Sequence, residues 1–65
     1  MRRELVWKGL DKVYKSMGYV LLGVEFLTDN LIKIHILTPR WTIKELIAIV
    51  EFRGEFTFKV KILKQ

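Results

Sequence analysis

A chain of 65 residues with no Cys has room for a single domain, 1–65, and excludes both a disulfide scaffold and a thiolate metal site. Such a chain buries only about 60% of the surface it exposes when unfolded, so its 51% apolar content must pack well or be completed by a partner subunit. Twelve Lys and Arg against seven Asp and Glu, net +5, suit a polyanionic partner such as DNA or RNA, while no stretch approaches the ~20 apolar residues of a membrane span.

Met1-Arg2-Arg3-Glu4 starts basic, but no long apolar core or small-residue cleavage site follows, so a mature cytoplasmic chain is expected. Scarce Asn and Gln beside abundant Lys, Arg and Glu are in keeping with thermophile usage. Residues 3–17 then read as an amphipathic helix. Leu5, Val6, Leu10, Val13, Tyr14 and Met17 make the apolar stripe, and Glu4, Lys8, Asp11, Lys12 and Lys15 the solvated side. Glu4 to Lys8 and Asp11 to Lys15 have the favourable i,i+4 orientation, and Gly18 suits a left-handed stop. Gly9 weakens the middle of the helix and points to close packing against a sheet there. Trp7 sits at the stripe's edge.

Tyr19 to Leu37 reads as two β-rich runs around Thr28-Asp29-Asn30, a hairpin with a three-residue loop and Asn30 in the left-handed region. The ladder runs Phe26:Ile32, Glu25:Lys33, Val24:Ile34, Gly23:His35, Leu22:Ile36 and Leu21:Leu37, which keeps the apolar set on one face. Pro39 ends the second run. Thr42-Ile43-Lys44-Glu45 matches a capping box, with Trp41 and Leu46 at the hydrophobic-staple positions, so a second helix is expected over 43–53, closed by Gly54. Its Ile43, Leu46, Ile47 and Val50, with Ile49 beside them, would point inward, and Lys44, Glu45, Ala48 and Glu51 outward. Residues 55–65 alternate strictly and read as a half-exposed strand with Phe56, Phe58, Val60 and Ile62 inward.

The expected architecture is therefore α+β: a two-layer α/β sandwich of order α-β-β-α-β. Its three-stranded antiparallel sheet has strand order 2-1-3, with strand 19–27 central and both helices on one face. The covered face would carry Val20, Leu22, Val24, Phe26 and the inward residues of the other strands. The open face would carry Tyr19, Leu21, Gly23, Glu25, Leu27, Leu31, Lys33, His35, Leu37, Thr57, Lys59, Lys61 and Leu63.

That open face supports two expectations. In one, Lys33, His35, Lys59 and Lys61 meet phosphates and Tyr19 stacks a base, with Arg2, Arg3, Arg40 and Arg53 extending the basic footprint. In the other, Leu21, Leu27, Leu31, Leu37 and Leu63 form the seam of a homo-oligomer, since a small monomer seldom leaves so much apolar surface wet. The two are compatible, and the second can stand alone as an assembly module without nucleic acid. Arg53-Gly54-Glu55-Phe56-Thr57-Phe58 resembles the first ribonucleoprotein motif of RNA-recognition domains, but outward phenylalanines would force Lys59 and Lys61 into the core, so strand parity assigns Phe56 and Phe58 to packing. His35 is the single His, Ser16 has no triad partners, and Gly9, Gly18, Gly23 and Gly54 make no phosphate loop. No catalytic residue, metal site, cofactor or small-molecule substrate is expected; the chain reads as a non-enzymatic binding protein.

Overall fold

The computed structural model describes residues 2–64, with side-chain surroundings given from Arg3 onward. Among these residues the order is α1 (Arg2–Ser16), β1 (Val20–Phe26), β2 (Leu31–Leu37), β3 (Ile43–Phe52) and β4 (Phe58–Lys64). All neighbouring strands are antiparallel, and the sheet order is β1-β2-β3-β4, a meander. The α+β class holds, but the expected two-helix, three-stranded arrangement does not. Residues 43–52 form the longest strand instead of a second helix. β1 is an edge rather than the centre, and the last strand pairs with β3 rather than with β1.

The reason lies in the run Leu46-Ile47-Ala48-Ile49-Val50, which is apolar on both strand faces and rich in β-branched residues. As a strand it presents Leu46, Ala48 and Val50, all buried, to α1, and it gives β2 and β4 a partner on either side. Two ladders of backbone hydrogen bonds outweigh a capping box that stabilises one helix end by about 1 kcal/mol. The capping residues are engaged elsewhere. The Thr42 hydroxyl lies 2.6 Å from that of Thr38 across the β2–β3 turn, and Glu45 reaches Lys33 and His35 on the neighbouring strand.

The first hairpin follows the expected register from Phe26↔Ile32 through Gly23↔His35, and then departs from it. Leu22 is extruded in a β-bulge, so Leu21 pairs with Ile36 and Val20 with Leu37. The bulge reverses the expected faces at this end: Leu21 is buried in the core, while Val20 and Leu22 are exposed. The Thr28 hydroxyl accepts hydrogen bonds from the Asn30 and Leu31 amides, closing the loop. Asn30 is not left-handed. It continues the pairing toward β3, accepting from the Val50 amide at 2.7 Å and donating its side-chain amide to the Val50 carbonyl.

Left-handed backbone appears at Gly18 (φ 83°), as expected, and at Trp41 (φ 63°), which was not. Thr38 and Thr42 close a three-residue loop, with Thr38 N–H donating to Thr42 O at 2.8 Å and Trp41 N–H to Thr38 O at 2.9 Å. Its third position is the one such loops hold in the left-handed region, so Trp41 stands where Gly or Asn is favoured. Gly54 lies in the β3–β4 turn, closed by Arg53 N–H donating to Thr57 O, and ends no helix. Phe56 belongs to the same turn and is exposed rather than packed inward.

The core lies between α1 and one sheet face. Val6 and Leu10 from the helix meet Leu21, Ile32, Ile34, Ile36, Leu46, Ala48 and Val50, with Phe58, Val60 and Ile62 half-buried at its margin. Gly9 lets the helix approach Phe58: a Cβ there would lie 2.5 Å from the ring's Cζ. One helix about 10 Å across is narrower than a four-stranded sheet, so Val13 and Met17 on its flank remain exposed. Between that flank and β4 runs an apolar groove of about 400 Å³.

Candidate functional site

The candidate site is the sheet face opposite α1, which no element among the described residues covers. Strand parity and the register lay it out as rows across β1 to β4. At the end bearing the β2–β3 turn stand Val20, Leu37 and Ile43. Next come Gly23, His35 and Glu45, then Glu25, Lys33, Ile47 and Lys64. Leu31, Ile49 and Lys61 follow, and Glu51 and Lys59 close the far end. With Glu25, Lys33 and Lys64 sharing the row of Ile47, two apolar groups, Val20-Leu37-Ile43 and Leu31-Ile47-Ile49, thus flank the polar row of His35 and Glu45.

Within that row Glu45 is the hub. Its Oε2 lies 3.8 Å from Lys33 Nζ and its Oε1 3.7 Å from His35 Nδ1. Glu45 remains more than half exposed and both contacts are longer than a hydrogen bond, so these pairs contribute little to stability. Gly23 leaves space beside the imidazole: a Cβ there would meet His35 Cδ2 at an ordinary 3.8 Å. Glu51 pairs with Lys59 by register and with Arg53 at 3.3 Å. The face therefore carries both signs of charge, with Glu25, Glu45 and Glu51 among the lysines.

The structure gathers Lys33, His35, Lys59 and Lys61 on this face and disperses the other basic residues. Arg3 places its guanidinium 4.9 Å from the centre of the Phe26 ring, Arg40 is exposed in the β2–β3 turn, and Arg53 binds Glu51. The Arg2 side chain lies outside the described residues. Tyr19 is not on the face. Its ring packs 5.9 Å from that of Tyr14 beside the core, where burial and then the neighbouring Tyr19 raise the Tyr14 phenol above its ordinary value of 10.0.

Of the expected seam, Leu31 and Leu37 are half-buried on the open face, Leu27 is exposed at the hairpin end and Leu63 is exposed where β4 shifts register. Leu21 is taken into the core by the bulge. Thr57 lies in the β3–β4 turn. The face residues that sequence reasoning did not place there are Val20, Ile43, Glu45, Ile47, Ile49, Glu51 and Lys64. The run Leu46 to Val50, apolar on both strand faces and rich in β-branched residues, is the signal that could have assigned those on β3. The bulge that turns Val20 outward has no such signal.

Among the described residues no group of three or more His, Cys, Asp or Glu side chains converges to hold a metal ion, and no helix is long and apolar enough to cross a membrane. The face offers aliphatic area in two blocks with a polar band between them. No family model, curated protein or solved structure matches this chain.

Proposed function

We propose that this chain is a small non-enzymatic binding protein that works as a self-associated unit, with the open sheet face as its seam. The observation that carries the reading is the aliphatic surface of that face. Val20 and Ile43 are 54% and 68% exposed, and Leu31, Leu37, Ile47 and Ile49 continue the same surface. Sheets with one wet face normally alternate apolar and polar residues, and the outward side of β3 breaks that rule at three of its five positions. The molecule measures 35 × 21 × 16 Å, so the broad side spans about 700 Å², close to the ~800 Å² that each partner gives to a standard interface. Sedimentation equilibrium tests the reading. A dimer or higher species is expected at micromolar concentration, with Ile47→Lys/Ile49→Lys shifting it to monomer; a strictly monomeric wild type at millimolar concentration would refute it.

A second reading, favoured by Trp41, is that the assembled unit holds nucleic acid. Trp41 is 82% exposed on a left-handed backbone beside Arg40, an arrangement suited to stacking a base next to a phosphate contact. Two copies would also carry twice the net charge of +5 in one unit. A mobility shift that weakens steeply with salt and is lost in Arg40→Glu/Trp41→Ala is expected. No shift of DNA or RNA at low salt would remove this second reading and leave the first intact.

A further inference from the structure

We infer that the partner on the open face is a second copy related by a two-fold axis parallel to the strands, so that β2 lies over the partner's β3 and β1 over the partner's β4. The inference rests on the self-association proposed above and specifies its geometry. A two-fold seam presents the same surface from both sides, so the face must complement itself under rotation. Rotation about an axis along the strands leaves each row facing its own copy while exchanging left and right.

In that arrangement Leu37 meets the partner's Ile43, and Leu31 meets the partner's Ile49, aliphatic on aliphatic in both outer blocks. In the middle band, Glu25 on β1 meets the partner's Lys64 on β4, because both stand in the row of Lys33 and Ile47, and the Lys33 stem lies over the partner's Ile47 with its ammonium turned toward Glu45. His35 likewise meets the partner's Glu45, which extends the contact they already make within a chain. Stacked sheets lie ~10 Å apart, a gap that a Glu and a Lys side chain together span. The four strands centre the axis between β2 and β3, the position that buries the most face.

The other in-plane axis, across the strands, fails on the same map. It sets every strand over its own copy, bringing Glu25 over the partner's Glu25 and Lys33 over the partner's Lys33. It also lays His35 and Glu45 over the partner's Leu31 and Ile49. Like charges would be buried against each other in the Glu25 and Lys33 positions, at a cost in desolvation that the other axis avoids. Charge complementarity therefore selects one orientation of the two copies.

A charge-exchange cycle tests it. Glu25→Lys and Lys64→Glu should each weaken the dimer about tenfold by sedimentation, while Glu25→Lys/Lys64→Glu should return it to within about twofold of wild type. Within one chain the two positions sit on opposite edges of the sheet, three strand spacings or ~14 Å apart, so restoration reads the contact between copies. A dimer whose double variant is as weak as the singles combined would overturn this orientation while self-association stands; a monomeric wild type would overturn both. Zero-length carbodiimide coupling of the wild-type dimer, made from equal parts light and heavy-isotope chains, needs no variant. It should give a mixed-isotope Glu25–Lys64 peptide, and its absence among the cross-links recovered would overturn the proposal.

Discussion

Gly9→Ala is the sharpest probe of how α1 sits on the sheet. An added Cβ falls 2.5 Å from Phe58 Cζ and 2.9 Å from Cε1, whereas carbon atoms rest at ~3.5–4.0 Å. The ring must retreat by ~1 Å, and its tilted contact with Phe52, at 6.4 Å between centres, moves with it. Overpacking of this size costs ~1–3 kcal/mol. Replacing a mid-helix Gly by Ala contributes ~1 kcal/mol in the opposite direction. The net effect is a loss of ~1 kcal/mol, which for a domain of this length lowers Tm by ~4–8 °C. Thermal unfolding by circular dichroism measures it, and Phe58→Leu supplies the control. Because Leu removes the obstructing ring, the double variant should be ~1–2 kcal/mol more stable than the sum of the singles. A Tm raised by Gly9→Ala alone would refute the reasoning: the ring would then yield freely, and the close approach would not need glycine.

Ala48→Leu should lower stability by ~1–3 kcal/mol, because Ala48 is fully buried at the centre of the strand that faces α1; an unchanged Tm would return residues 43–53 to the helix in which that side chain meets water. Trp41→Gly should raise Tm by a few degrees, since a non-Gly residue in the left-handed region costs ~1–2 kcal/mol and this indole is exposed; a lower Tm would show that the ring packs. Tyr14 gives a pH signature. Below pH 10.0 both states keep the phenolic proton, whereas above it the unfolded chain releases its proton first, so stability falls as pH rises toward the raised folded value. Tyr14→Phe should make that alkaline loss shallower in denaturant titrations at successive pH values, and equal slopes would refute it.

The parts of the fold legible in the sequence are those set by local pattern. Helix 3–17, its Gly18 stop and the hairpin ladder from Phe26 to Gly23 follow from periodicity and turn chemistry, and all three are present. The packing at Gly9 was legible too, because a glycine amid good helix formers asks for a neighbour. What was not legible depends on partners distant in sequence. Residues 43–52 satisfy both periods over their apolar centre, and the Thr42/Glu45 pair tips a local reading toward helix. The deciding fact is that β4 needs β3 beside it, and no residue within the segment reports that. The bulge at Leu22 was hidden for a similar reason. It is selected by the need to bury Leu21 and turn Val20 outward at one end of a ladder that is otherwise regular.

That one element changes the chemistry of the open face. Without β3, the expected face set Lys33, His35, Lys59 and Lys61 against Glu25 alone, a pattern suited to phosphates. Inserting β3 between β2 and β4 brings Glu45 and Glu51 into the lysine rows and separates the remaining cations with Ile43, Ile47 and Ile49. A uniform polyanion would gain less from such a surface, because phosphates at Lys33 and Lys59 would also meet Glu45 and Glu51. A partner with aliphatic blocks at both ends and opposite charges in the middle would gain more, since it matches the aliphatic blocks and the Glu25, His35, Glu45 and Lys64 positions together. The same chain, turned about an axis along its strands, carries that pattern. On the second reading proposed above, nucleic-acid contacts would fall to residues beyond the face, with Arg40 and Trp41 on the β2–β3 turn, so that the proposed assembly and the proposed polyanion binding would use different parts of one small surface and could be separated by substitution.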